Sequence, residues 1–172
     1  MALRQSVREE LISSASSNVS DQDKRTITEL AGRLKDPENI PLFIKHLQDT
    51  YLQDYTGMRA LEDYPYANGL SYYGKDALKP LLSAISQSNN PQFDDLAIKT
   101  IYNLGKDIVY PLLDQYKDNP ANSKISSVAG DCFTKIARKP EGDWYIDADL
   151  STEKDPVKRT MLQKLRAIVD SE

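Results

Sequence analysis

One cysteine, one histidine and one tryptophan are all that 172 residues carry of those three types. Each scarcity closes a class of function. A single Cys132 excludes an internal disulfide framework and a cysteine-based zinc site. A single His46 excludes a histidine-rich metal cluster. His46 stands four residues after Leu42, without an accompanying carboxylate or thiol motif, and reads as a surface or packed side chain. Long apolar runs are missing too, so no helix is expected to span a bilayer. No apolar stretch follows Met1-Ala2-Leu3-Arg4, so no leader peptide is expected. A mature secreted or periplasmic chain would read the same way, so the compartment stays open, with the cytoplasm the simpler reading. An excess of basic residues is also lacking. Lys and Arg number 22 against 26 Asp and Glu, for a formal net charge of −4. Nucleic-acid binders normally present a basic face, so general nucleic-acid binding is not expected. A negative field suits a basic protein partner.

What is present is a globular composition, with 40% hydrophobic and 28% charged residues. The length allows one domain with a real core. The chain also matches itself. Gly74-Lys75-Asp76-Ala77-Leu78-Lys79-Pro80-Leu81-Leu82 is answered by Gly105-Lys106-Asp107-Ile108-Val109-Tyr110-Pro111-Leu112-Leu113. The offset is 31 residues, and six of the nine positions are identical. Self-similarity at such a period marks a repeat architecture. Ile40-Pro41-Leu42 lies 39 residues before Pro80 in a similar setting. Asn90-Pro91 stands between the two copies, and Asn119-Pro120 and Asp155-Pro156 follow the second. Asn or Asp before Pro starts a helix: the side chain caps free amides, and Pro in the first position loses no hydrogen bond. Two kinds of helix therefore alternate. One opens with Asn/Asp-Pro and ends near Leu-Gly. The other opens with Lys-Asp and carries Pro-Leu-Leu.

This alternation resembles the HEAT repeat family of α-solenoids. The family's first helix reads Asp-Pro, apolar positions, then Leu-Gly, as Asn90-Pro91 through Leu104-Gly105 does here. Its second helix carries Pro-Leu, here Pro80-Leu81 and Pro111-Leu112. The resemblance is carried by residues 74 to 137 and extends in degenerate form over most of the chain. It implies an all-α fold, a short right-handed α-solenoid of HEAT-like repeats with about seven or eight helices. It also implies protein binding, since these repeats specify a stacking geometry and not a chemistry.

Apolar spacing assigns the helices in order. Leu3, Val7 and Leu11 mark a helix over residues 3 to 14, followed by a Ser-rich linker up to residue 20. Ser20 with Asp23 starts the next helix, in which Ile27, Leu30, Ala31 and Leu34 line one face. Asp36-Pro37 opens a third, with Leu42, Phe43, Leu47 and Tyr51 buried. Residues 54 to 73 read as an irregular helix that Pro65 breaks or kinks and Asn68-Gly69 turns again. Leu78, Leu81, Leu82 and Ile85 give a clean face. Phe93, Ala97, Ile101 and Leu104 follow, then Ile108, Leu112 and Tyr116. Ile125, Val128, Ala129, Cys132, Phe133 and Ile136 form the most regular stripe. Cys132, inside it, reads as a buried small hydrophobe. A last helix from Pro156 caps the stack. The single domain 1–172 thus has one long loop, residues 139 to 155.

No motif for catalysis, cofactor or metal is found. Asp147 to Glu153 has oxygens at alternate positions, as an EF-hand loop does. Thr152 stands where its glycine is required and Lys158 where its glutamate is required, so a solvated acidic loop is expected. The Gly-Lys-Asp triplets lack a surrounding Gly-rich loop for phosphate, and their Asp residues are expected to cap helices. Six of the ten tyrosines, Tyr51, Tyr55, Tyr64, Tyr66, Tyr72 and Tyr73, crowd into 23 residues. They fill an irregular repeat or mark an interface.

The function expected is non-enzymatic protein binding, as an adaptor or as an inhibitor such as a toxin-neutralising immunity protein. In the family resembled, the second helix of each pair lines the concave surface. That places Lys45, Lys79, Ser83, Tyr110 and Asp114 there. In the long loop, Trp144 and Tyr145 are the candidate anchors, with a structural cap as the competing role. A HEAT-like chromophore lyase or chaperone is the alternative; a DNA-glycosylase-like protein would need a basic groove.

Overall fold

Helix starts follow the capping residues. In the computed structural model, residues 2–16, 19–49, 61–118, 123–137 and 150–170 are described; they are helical with turns between and contain no strand. They fall into two compact units, residues 1–105 and 106–172. The division runs through the second Gly-Lys-Asp triplet.

The first unit opens with α1, Ala2–Ser16. It runs past Ser13 into the stretch expected to be linker. Ser14 is only 1% exposed there, and its hydroxyl donates to the Leu11 carbonyl at 2.9 Å. Val7 and Leu11 are buried as the spacing requires, whereas Leu3 is exposed. Helix α2, Asp21–Leu34, begins at Ser20, whose Oγ accepts from the Asp23 amide at 3.2 Å. Its buried side is Thr28, Ala31 and Gly32, and Leu30 is exposed. The expected stripe through Leu30 is therefore shifted. The cause is the neighbouring helix. A Cβ on Gly32 would stand 2.7 Å from the Gly69 carbonyl oxygen and 2.8 Å from Tyr72 Cδ2. Small residues let the two backbones approach closely, and that outweighs the burial of one leucine.

Asp36 caps a 3-10 turn, Pro37–Asn39, which runs into the short α3, Ile40–Lys45. Ile40, Phe43 and Leu47 are buried and Leu42 is half-buried; Tyr51 lies outside the described residues. Helix α4, Pro65–Ser71, corrects the reading of its region. Pro65 is the first residue of the helix, where its missing N–H costs nothing, and Asn68-Gly69 is inside the helix. Helix α5, Lys75–Gln87, buries Ala77, Leu78, Leu81, Leu82 and Ile85. Helix α6, Pro91–Tyr102, starts at Asn90, whose Oδ1 accepts from the amides of Gln92 at 3.0 Å and Phe93 at 3.3 Å. Packing joins α2 to α1 and α4, α4 to α6, α3 to α4 and α5, and α5 to α6.

The first of the repeated triplets does not cap with Asp. Gly74, at φ 55°, is the residue before α5, and Asp76 sits in the first turn. The carboxylate there interacts with the positive end of the helix without closing a cap. Gly105 also has positive φ, 97°. Both positions reach a conformation that a side chain resists. The copies then diverge. Pro80 is inside α5, whereas Pro111 follows a 3-10 turn, Lys106–Ile108, near the start of α7.

The second unit holds α7, Val109–Asp118, α8, Ser123–Ala137, and α9, Pro156–Asp170, each packed on the other two. Ile108, Leu112, Leu113, Ile125, Val128, Ala129, Cys132 and Leu162 are buried. The side chains of Tyr116, Phe133 and Ile136 lie outside the described residues, as do Asn119 and Pro120. Asp155 caps α9, accepting from the Val157 amide at 2.9 Å. Residues 150–152, at the end of the expected long loop, are helical.

Candidate functional site

On the Pro-Leu helices of the first unit, Lys45, Lys79 and Ser83 are all exposed. Lys45 ends α3 and Lys79 lies in α5, and these helices pack on each other. Lys75, in the first turn of α5, is exposed as well. None of the three lysines forms an ion pair with a described residue. Two carboxylates that flank α3 in sequence have other partners. Asp49 Oδ2 is 3.0 Å from His46 Nδ1, and Glu38 pairs with Arg8. An ionised carboxylate only accepts, so His46 carries a proton on Nδ1. That pairing corrects the reading of His46 as a side chain without a carboxylate beside it. Its backbone N–H also closes the end of α3 on the Leu42 carbonyl at 3.1 Å.

Tyr110 and Asp114, in the second unit, stand one turn apart on α7. The structure brings them together under one residue that sequence reasoning missed. Lys158 of α9 pairs with Asp114, and its Nζ lies 5.8 Å from the centroid of the Tyr110 ring. The Lys158 side chain is only 16% exposed. The hydrogen bond to Asp114 raises its pKa, and Glu153 and Asp155 add to the rise. Tyr110 and Asp114 thus serve the packing of α9 on α7. No local signal in either helix could have found this, because the partners are far apart in sequence.

The clustered tyrosines that are described divide by burial. Tyr66 and Tyr73 are buried, with their rings 6.0 Å and 5.8 Å from that of Phe43. Tyr64 and Tyr72 are half-buried. Tyr73 donates to the carbonyls of Asp36 at 3.0 Å and Ala31 at 3.2 Å. Burial pushes its hydroxyl up to about 12, with Asn39 opposing the rise. The Tyr66 hydroxyl is buried and makes no hydrogen bond among the described residues. Burial raises its pKa too; Ser14 is near enough to oppose the rise, but that hydroxyl is committed to Leu11. The Tyr66 ring also lies 5.3 Å from that of His46. On the outer side of α2, the Arg33 guanidinium pairs with Glu29 at 2.7 Å and lies 5.8 Å from the Tyr72 ring centroid.

Trp144 and Tyr145, the candidate loop anchors, lie outside the described residues, as do Tyr51 and Tyr55. Among the described residues no three His, Cys, Asp or Glu side chains are grouped to hold a metal ion, and no helix is long and apolar enough to cross a membrane. No family model matches this chain, and no curated protein or solved structure is similar to it.

Proposed function

We propose that the chain is a non-enzymatic protein-binding module, an adaptor or inhibitor, built as a short right-handed α-solenoid of HEAT-like helix pairs. The observation that carries the reading is the order of packing in the first unit. Helices α2, α4 and α6 meet in succession, and α3 meets α5, so helices pack on their next-but-one neighbours. Such packing supports a stack in which each repeat rests on the one before. The 31-residue repeat of Gly-Lys-Asp and Pro-Leu-Leu, with both glycines at positive φ, supports the same reading. Such stacks expose one face of each helical layer as a continuous platform for another protein. A toxin-neutralising immunity protein is one form this function takes. The test is direct titration of the purified chain against each protein that co-purifies with it. Saturable binding at a fixed stoichiometry, without turnover of either component, is the expected result. Failure of every candidate to bind, or chemical conversion of the bound molecule, overturns the proposal.

A further inference from the structure

Two groups of helices in the first unit differ in charge. Helices α3 and α5 together carry three lysines, Lys45, Lys75 and Lys79, against one carboxylate, Asp76, a local charge of +2. Helices α2, α4 and α6 carry four basic and five acidic residues, a charge of −1. The whole chain is at −4. The basic group thus runs against the balance of the molecule. It also runs against helix stability, because Lys75 stands in the first turn of α5, where the helix dipole disfavours a cation. The dipole's positive end adds to the field of the lysines. On α5, Lys75, Lys79, Ser83 and Ser86 are exposed on the side away from Leu78, Leu81 and Ile85, with Asp76, also exposed, beside Lys79 as the one carboxylate there. The two serines leave that side low and polar.

We propose that the exposed face of α3 and α5 binds an extended acidic segment of a partner protein, with carboxylates at alternate positions seated on Lys75 and Lys79. The inference rests on the protein-binding reading and adds the partner's chemistry. Spacing supports it. Residues four apart on a helix are separated by about 6 Å along the axis. Alternate residues of an extended strand lie about 6.6–6.8 Å apart and point the same way. Carboxylates at every second position therefore match the two lysines in register. Lys45 is exposed at the end of α3, the helix that packs on α5. The net negative charge suits a basic partner only at long range. Within a Debye length, about 8–10 Å at ordinary salt, the local lysines dominate. Three lysines without an arginine or an exposed aromatic on these two helices make a poor nucleic-acid platform.

The experiment titrates the full chain with a short peptide of alternating Glu and Ser, a peptide of the same charge with its Glu residues at every third position, whose neighbouring carboxylates point to opposite sides of a strand, and an oligothymidylate of equal charge. The alternating peptide is expected to bind tightest and to weaken as NaCl rises. The double variant Lys75→Glu/Lys79→Glu should lose at least tenfold in affinity with a Tm no lower than that of the parent, because Glu in the first turn of α5 suits the helix dipole, while Arg25→Glu on α2 leaves binding intact. No binding of the alternating peptide, an equal loss in Arg25→Glu, or tighter binding of the oligothymidylate overturns the inference. The two readings fail separately. A protein partner whose affinity ignores the lysine reversals defeats the lysine face alone. Lysine-dependent peptide binding without any protein partner leaves the face standing and defeats the broader reading.

Discussion

Tyr66 and Tyr73 bury their rings against the same Phe43 but treat their hydroxyls differently. Tyr73 has two carbonyls to donate to; Tyr66 has no partner among the described residues. An unmade hydrogen bond costs desolvation without return, whereas a made one contributes about 1 kcal/mol. Tyr73→Phe is therefore expected to lower stability by about 1–1.5 kcal/mol, and Tyr66→Phe to leave it unchanged or raise it by about 1 kcal/mol. Urea midpoints at constant slope separate the two. A loss above about 1 kcal/mol in Tyr66→Phe would show that its hydroxyl has a partner after all. Titration gives a second test. A tyrosine in the unfolded chain ionises near pH 10. In the native state Tyr73 holds its proton up to about 12, and Tyr66 is also raised. Between those values the unfolded chain binds fewer protons than the native one. This contribution is complete below about pH 10 and is lost as pH rises toward about 12. Stability should fall across that window, and less steeply in Tyr73→Phe. Equal slopes in the two proteins would rule Tyr73 out as the source.

The crossing of α2 and α4 is set by glycine. Glycine in a helix interior usually costs about 1 kcal/mol relative to alanine. By propensity alone, Gly32→Ala would stabilise α2. The crossing reverses the sign. The added carbon would meet a backbone oxygen at 2.7 Å, and the oxygen cannot retreat unless α4 moves. Overpacking of this kind costs about 1–3 kcal/mol. Gly130, inside α8, has nothing within 4 Å of the corresponding position. Gly130→Ala should therefore gain about 0.5–1 kcal/mol. Chemical denaturation of the two variants reads opposite signs from the same substitution. A gain at both sites would mean that the two helices are not in close contact.

Over the whole molecule, far-UV circular dichroism should report a helical protein with little strand. Strand above about a quarter of the residues, the level of an ordinary mixed protein, would defeat the all-α fold. That outcome was legible from the chain because helix periods and caps are local. Ser20, Asn90 and Asp155 cap amides two or three residues away, and Leu78, Leu81, Leu82 and Ile85 recur at the helical period whatever lies opposite. Pro65 was less legible, because a proline can end one helix or begin another and only the path of the chain decides. The candidate site was legible only in its inventory. Lys79, Tyr110 and Asp114 were singled out together, yet Lys79 is open on α5 whereas Tyr110 and Asp114 hold Lys158. Local chemistry by itself determined that the described segments are helical, that α2, α6 and α9 start at Ser20, Asn90 and Asp155, and that Leu78, Leu81, Leu82 and Ile85 form an apolar stripe. Only tertiary structure decided that Leu30 stays exposed because Gly32 must meet Gly69, that a lysine from α9 covers the α7 pair, and that α3 and α5, which carry Lys45 and Lys79, pack on each other. Each of those outcomes depends on a partner distant in the chain, and no spacing within one helix encodes it.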